Sequence, residues 1–261
     1  MTPRPWNGAR ILGAGLVILW ALIAVALTVF LVHRWIPAYA AEYGPRYLSG
    51  VQTTLTLVVI SVGSGALLSL PLALGRMSKR VVLRKLATLY LAFFRGTPLI
   101  AQLFLIYYGL GAFHKQLDEI GLWVFFRDAW NCALFAFTLN TAAYQAEILR
   151  GAIESVPLGQ YQSAAALGLK KFQAFRKIVL PQALIVALRP YGNEIILMVK
   201  GSAIVAIVTI LDLMGETRYA YSRSFEFQSY IWAALFYLVI VEGLRSLIVW
   251  IENRLTRHLK R

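Results

Sequence analysis

The length of the uncharged apolar runs limits what this chain can fold into more than any other feature. Residues 11–32 and residues 47–75 contain no acidic or basic side chain. A helix of about 20 predominantly apolar residues is long enough to cross the hydrocarbon core of a bilayer. Of the 261 residues, 59% are hydrophobic and 15% are charged, whereas about a quarter of a soluble domain is charged. The sequence therefore predicts an all-α polytopic membrane protein.

Six segments are predicted to span the membrane: residues 11–32, 47–75, 86–112, 129–149, 182–213 and 230–251. Ala38-Tyr39-Ala40 resembles a cleavage site, so the first segment has a second interpretation as a signal peptide. Its apolar core is longer than usual, which favours a retained anchor. We predict that residues 1–46 hold a cytoplasmic tail, this extra helix and an outer loop. Residues 47–255 then form the transmembrane domain, and residues 256–261 form a basic cytoplasmic tail.

The formal net charge of +14 has two interpretations, nucleic-acid binding and membrane topology. If the N-terminus is cytoplasmic, 16 of the 26 lysines and arginines lie in inner segments and 6 lie in outer segments. Cytoplasmic loops of membrane proteins carry an excess of lysine and arginine. We therefore predict that both termini are cytoplasmic, and that the chain contacts the lipid bilayer and not nucleic acid.

Neither a catalytic centre nor a metal centre is predicted. Cys132 is the only cysteine, and His33, His114 and His258 lie far apart without zinc-binding spacing. A membrane-embedded enzyme needs a clustered nucleophile, base or metal set, and the sequence offers none. The sequence also lacks G-x-x-x-x-G-K-[ST], so the chain is not expected to hold ATP in a P-loop. No cofactor is expected on this chain.

The longest predicted inner loop, residues 150–181, has a composition of its own. Helix propensity is high through residues 161–177. Gly168 is expected to divide two short helices, and Pro181 is expected to set a boundary. Ala164 and Gly168 place small surfaces on one helical face, where another protein can approach closely. Judged from these residues alone, a helix that lies in the membrane interface is as good an interpretation as a contact with another protein.

The spacing within this loop resembles the EAA loop of the membrane subunits of bacterial ABC importers. That pattern reads E-A-A, three residues, glycine, nine residues and I-x-L-P, and the spacing here matches throughout. Gln162 and Ser163 stand where the pattern has the acid and the first alanine, and glutamine keeps hydrogen-bonding ability without the charge. The resemblance implies contact with an ATPase by seven residues: Gly159, Gln162, Ser163, Ala164, Gly168, Leu180 and Pro181.

Other segments resemble permeases for polar amino acids, namely residues 50–57, 94–104, 136–160 and 180–203. Tyr144 and residues 193–198 resemble the branch that serves histidine, lysine, arginine, ornithine and opines. The resemblance implies a five-span ABC type I importer permease core, to which the first span adds one N-terminal helix. The expected location is the bacterial inner membrane.

The same resemblance implies how such a chain works. ATP and magnesium are expected on a separate ABC ATPase, a second permease (related or identical) completes the membrane domain, and a periplasmic or extracellular binding protein delivers the amino acid. Transport then alternates access around a site near the membrane middle. A stand-alone channel or an ion-driven carrier is the alternative, and it leaves the inner loop unexplained.

Polar residues inside the predicted spans are candidates for the substrate pathway, because such groups are costly in lipid and usually face protein or water. Glu147 is equally well explained as an interfacial residue, and helix–helix hydrogen bonding explains Asn193 and Glu194 equally well. An ion pair with Glu194 is favoured for Lys200. The first three candidates share one helical face, and the full set is Asn140, Tyr144, Glu147, Asn193, Glu194 and Lys200.

Overall fold

The computed structural model describes residues 8–33 and 37–257, and within these ranges it contains helices and no strand. The helices are α1 Gly8–His33, α2 Pro37–Arg76, α3 Val81–Gly96, α4 Leu99–Phe104, α5 His114–Glu119, α6 Trp123–Phe126, α7 Ala129–Glu154, α8 Leu158–Ala166, α9 Lys171–Ala174, α10 Leu180–Gly201, α11 Leu213–Ser224 and α12 Gln228–Leu255. A π-helical turn continues α4 to Gly109, another joins α9 to α10, and a 3-10 segment extends α10 to Val208. Most of the predicted basic tail, residues 258–261, lies outside the described residues.

Length and apolar composition identify α1, α2, α12 and the continuous helical segment Lys171–Val208 as spans, with the bent pair α3–α4 as a fifth. α7 has 26 residues, which is long enough, but it is less apolar and is not in this set. Its neighbours cover it on most sides, so it does not need an apolar surface towards lipid. The predicted five-span core consists of α2, α3–α4, α7, α10 and α12, and α1 is the additional N-terminal helix.

Small residues let the core helices pack closely around α7. A Cβ added at Gly65 of α2 would lie 2.5 Å from Thr141 Cγ2 and 3.2 Å from the backbone nitrogen of Ala142. A Cβ at Gly192 of α10 would lie 2.7 Å from Ile248 Cδ1 on α12. The distances of 2.5 and 2.7 Å are shorter than any ordinary contact, so both glycines fix how near their helices approach.

The predicted third span, residues 86–112, is not one continuous helix. α3 ends at Gly96, α4 begins at Leu99, and the two axes meet at 105°. Thr97 and Pro98 have extended backbone conformations. Because a proline disfavours the helical conformation at the residue before it, Pro98 explains a break that the hydropathy of the segment does not predict.

The outer loop predicted at residues 33–46 is helical from Pro37, and α2 continues across the predicted domain boundary at 46/47. Tyr39, Tyr43 and Tyr47 recur every four residues and are buried in one cluster with residues of α11 and α12. Tyr47 donates a hydrogen bond to the carbonyl oxygen of Ser229 at 2.9 Å. The spacing of four residues between the tyrosines predicts a helix here, whereas hydropathy alone does not.

Candidate functional site

The inner loop between α7 and α10 folds into a helix, a turn and a second helix. α8 ends at Ala166, Gly168 has a φ of +73°, and α9 begins at Lys171. The backbone nitrogen of Leu169 closes the turn by donating to the carbonyl oxygen of Ala164 at 3.0 Å. Glycine adopts this left-handed conformation without the penalty that a Cβ brings. The predicted division of the loop at Gly168 is therefore confirmed.

The surface of this loop combines exposed apolar and basic side chains. Leu158, Leu167 and Phe172 are 76%, 77% and 71% exposed. Exposed apolar side chains accompanied by polar ones are typical of protein–protein contact sites. The loop also carries four exposed basic residues, Lys170, Lys171, Arg176 and Lys177.

The residues that the resemblance assigns to ATPase contact differ in exposure. Ala164 is 1% exposed, so the prediction that it offers a small surface to a partner is wrong, because its side chain packs inside the chain. Leu180 is half-buried. The remaining five are exposed: Gly159, Gln162, Ser163, Gly168 and Pro181.

The helix does not stop at Pro181 as predicted. A π-helical turn over Phe175–Val179 leads into α10, and Pro181 lies in the first turn of that helix. Proline has no backbone N–H to donate and crowds the preceding turn. A π turn, which is wider than an α-helical turn, allows the helix to continue past the proline. The loop therefore continues into α10 without a break in the helical backbone.

Asn140 lies at the break between α3 and α4. Its Nδ2 donates to the carbonyl oxygen of Phe94 at 3.1 Å and to Gln102 Oε1 at 3.0 Å. Gln102 Nε2 donates to the same Phe94 carbonyl at 2.9 Å and to Thr97 Oγ1 at 2.8 Å. The two amide side chains thus satisfy the end of α3, and Asn140 is occupied by structural hydrogen bonds.

Glu147 lies where three helices meet. Arg150 Nη2 is 2.6 Å from its Oε1, and Arg76 and Arg95 each lie 3.8 Å from its Oε2. The guanidinium of Arg95 also lies 5.6 Å from the centre of the Tyr144 ring. The predicted shared face of Asn140, Tyr144 and Glu147 therefore packs against α3 and the α3–α4 break, and Glu147 joins the ends of α2, α3 and α7.

Glu194 is buried against α7 and does not pair with Lys200, so that prediction is wrong. Thr141 Oγ1 donates to Glu194 Oε1 at 3.0 Å and accepts from Gln145 Nε2 at 3.0 Å. Lys200 is exposed and lies six residues further along α10, which turns it to another side of the helix. Thr141 and Gln145 were not among the predicted residues, although their spacing of four residues places both on one face.

A polar groove of about 470 Å³ lies between α10 and α12. Of the predicted pathway residues it contains Asn193 and Lys200, and the other four lie elsewhere. Arg189 Nε is 2.8 Å from Glu252 Oε1, and Arg245 Nη1 is 3.4 Å from Glu242 Oε1. The charged residues of the groove are Arg189, Lys200, Glu242, Arg245 and Glu252.

Within the described residues, no group of three or more His, Cys, Asp or Glu side chains is arranged to hold a metal ion. The polar clusters described above are hydrogen-bonded or ion-paired combinations of amides, hydroxyls, carboxylates and guanidinium groups. Their geometry is that of helix packing and of a polar groove between α10 and α12.

Residues 65–257 match the protein family described as "Binding-protein-dependent transport system inner membrane component". The nopaline transport system permease protein NocM of Agrobacterium fabrum is 42% identical over 220 residues, covering 84% of this chain and 91% of NocM. The histidine/lysine/arginine/ornithine transport system permease protein HisM of Escherichia coli is 39% identical over 213 residues, covering 81% of this chain and 90% of HisM.

Solved structures give the same result. A crystal structure described as an amino acid ABC transporter with histidines aligns with a TM-score of 0.73 at 34% identity, covering 82% of this chain and 96% of that one. The MetNI methionine ABC transporter in an inward-facing conformation shares the fold, with a TM-score of 0.67 at 21% identity and coverage of 81% and 96%. The family match covers most of the chain, and the relatives match it over most of their own length. This chain belongs to the family of binding-protein-dependent transport system inner membrane components.

Proposed function

We propose that this chain is the permease subunit of an ATP-driven importer that moves a polar amino acid or an opine across the bacterial inner membrane by alternating access. Relatives named for nopaline and for histidine, lysine, arginine and ornithine support this substrate class. The chain performs no catalysis of its own. ATP and magnesium bind a separate ABC ATPase, an external binding protein delivers the substrate, and both termini of the permease are cytoplasmic.

One observation carries this proposal, namely the exposed apolar side chains of the loop between α7 and α10. Leu158, Leu167 and Phe172 have little cover within the described chain. An ATPase that receives them in an apolar cleft removes them from water, which is favourable, and an acidic rim on that cleft complements the four basic residues. Because the loop continues into α10 without a break, movement of the ATPase would pass directly to a core helix.

The surface of α12 supports a second permease chain, related or identical. None of the residues in its most apolar window is buried within this chain, yet Glu242 and Arg245 lie in its middle. Charged groups at such a depth face protein or water and not lipid. A second permease beside α10 and α12 provides that environment, and it encloses the polar groove between the two chains.

A stand-alone channel or an ion-driven carrier is the competing function, and it requires no partner at the loop. Purification of the tagged chain from its own membranes in mild detergent distinguishes the two functions. We expect a stoichiometric ABC ATPase to accompany the wild type. An intact, monodisperse chain without an ATPase would contradict the proposal and favour the stand-alone function.

Two variants make this experiment specific. Leu167→Asp places a charge in the proposed contact and should release the ATPase while the chain still inserts. Gly63→Ala is the control, because a Cβ at this exposed position of α2 meets nothing within 4 Å, and it should retain the ATPase. Retention by Leu167→Asp would show that the ATPase binds elsewhere.

A further inference from the structure

A cavity of about 150 Å³ lies between the first turns of α2 and the first turns of α12. Its walls are mainly apolar, and four of its seven lining residues are aromatic. A cavity of this size with apolar walls holds a group about as large as benzene. The residues that line this α2–α12 pocket are Tyr39, Ala40, Gly44, Tyr47, Gln228, Trp232 and Phe236.

The polar groups of the lining differ in whether they are bonded. Tyr39 Oη lies 2.8 Å from Ser229 Oγ, and Tyr47 donates to the carbonyl oxygen of Ser229 at 2.9 Å. Gln228 is 2% exposed, and its Nε2 has no hydrogen-bond partner within the described residues. A buried donor without an acceptor is costly, so a ligand that accepts from this amide is stabilised by it.

The pocket runs from polar to apolar along α12. Gln228 is the first residue of α12, which is long and apolar enough to span the membrane, so its amide lies at the membrane interface. Trp232 and Phe236 follow about 6 and 12 Å deeper, at 1.5 Å per residue. A phospholipid has the same order of groups, with ester carbonyls at the interface and acyl chains in the hydrocarbon core. The pocket therefore matches a fatty-acyl ester.

The apolar surface continues below the pocket. Leu48 of α2 lies four residues after Gly44 on the same helical face, and it is 63% exposed. Val239 of α12 lies three residues after Phe236 and is 70% exposed. An acyl chain that is longer than the pocket thus has exposed apolar side chains to lie against.

The pocket and the polar groove lie on opposite sides of α12. Phe236 and Arg245 are nine residues apart, which is about two and a half helical turns. Phe236 lines the pocket with residues of α2, whereas Arg245 lines the groove with residues of α10. A second permease chain that covers the groove therefore leaves the pocket open to the bilayer.

We propose that the α2–α12 pocket binds one acyl chain of a membrane phospholipid, whose ester carbonyl accepts a hydrogen bond from Gln228 Nε2. The aromatic rings enclose the upper part of the chain, and the burial of its apolar surface is favourable. The bound lipid contacts both helices and so stabilises the packing of α2 on α12. This inference does not depend on the proposed transport function.

The test compares two phosphatidylethanolamines that share headgroup and chain length, one with ester-linked and one with ether-linked chains. The ether linkage removes the carbonyl oxygen and keeps the rest of the lipid. The chain is purified in mild detergent with any subunits that accompany it and is mixed with equal amounts of both lipids. Native mass spectrometry then identifies the most tightly retained lipid. Because one hydrogen bond distinguishes the two, we expect the wild type to prefer the ester lipid about fivefold.

Two variants make this experiment specific to the pocket. Gln228→Met replaces the amide with an apolar side chain of similar length, so a lipid should still bind and the preference should fall to about one. Ala40→Phe fills the pocket and should lose the retained lipid. Ala41→Phe is its control, because Ala41 is the next residue of α2, is exposed and does not line the pocket.

Equal retention of the ester and ether lipids by the wild type would overturn the inference. So would a preference that survives Gln228→Met, or a tightly retained lipid that survives Ala40→Phe. Retention of neither lipid would overturn it as well, since the pocket would then be covered by protein or filled by detergent. The wild-type comparison needs no substitution, so it decides even if a variant fails to fold.

Discussion

The side-chain amide of Asn140 donates a hydrogen bond to the carbonyl oxygen of Phe94, 3.1 Å away across the break between α3 and α4. The end of a helix leaves carbonyl groups without intrahelical donors. Within a bilayer no water replaces them, and each unsatisfied group costs several kcal/mol. Asn140 and Gln102 supply these donors, so the break depends on two side chains from outside α3.

Asn140→Leu should therefore destabilise the chain by about 1–3 kcal/mol, because it leaves Gln102 Oε1 without its donor in a buried site. The measurement is the thermal unfolding midpoint in detergent, which should fall. Asn131→Leu is the control, since Asn131 makes only an exposed hydrogen bond to the carbonyl oxygen of Phe125. Equal midpoints for the two variants would contradict this role of Asn140.

Gly65→Ala should weaken the packing of α2 on α7, because the added Cβ would lie 2.5 Å from Thr141 Cγ2. Extra carbon in a well-packed core costs about 1–3 kcal/mol. Adding Thr141→Ser removes that methyl group and keeps the hydroxyl that bonds Glu194, so the double variant should recover part of the loss. Gly63→Ala should have little effect. A harmless Gly65→Ala would show that the two helices can separate freely.

Glu147→Gln should also lower stability, by about 1–3 kcal/mol, because three guanidinium groups then lie close together without their shared carboxylate. Glu154→Gln is the matched control, since Glu154 is half exposed and pairs with Arg150 alone. The difference between the variants should shrink at high salt, which screens the repulsion. Equal losses for both variants would argue against a central role for Glu147.

Asp212 should make stability depend on pH. It precedes α11, outside the candidate spans, its Oδ1 accepts from the backbone nitrogen of Gly215 at 2.8 Å, and burial raises its pKa to about 6. A raised pKa in an acid means that folding favours the protonated form. This contribution is complete below the unfolded pKa of about 3.9 and is lost as the pH rises through about 6.

Asp212→Asn keeps the cap and removes the titration. Its unfolding midpoint should exceed that of the wild type at pH 7.5 and approach it at pH 4.5, with a difference of up to about 3 kcal/mol at the higher pH. A constant difference across this range would show that the carboxyl group does not titrate as described.

Local features were the ones that the sequence predicted well. Gly168 divides the inner loop as expected, because a single glycine in a helical stretch acts locally. The shared face of Asn140, Tyr144 and Glu147 was also expected, but the helix that packs against this face was not. Periodicity tells which residues share a face, and it does not tell which helix meets that face.

Two of the wrong predictions concern the geometry of α10. The predicted pairing of Glu194 with Lys200 is wrong because residues six apart do not complete a whole number of helical turns. The two side chains therefore lie on different sides of α10. The boundary at Pro181 ignored the π turn before it, for which the sequence has no simple signal. The tyrosines at the start of α2 did offer a signal, in a spacing of four residues, that hydropathy alone could not show.

In the proposed function, an ATPase acting on the loop between α7 and α10 drives transport. The most direct test is ATP-dependent uptake of a labelled substrate by the reconstituted complete transporter, comparing the wild type with Gly168→Trp. A side chain at φ +73° is strained whatever the space around it, so the turn should distort. We predict that the wild type accumulates substrate only with ATP and that Gly168→Trp, although inserted, does not. Uptake without ATP, or normal uptake by Gly168→Trp, would contradict the account.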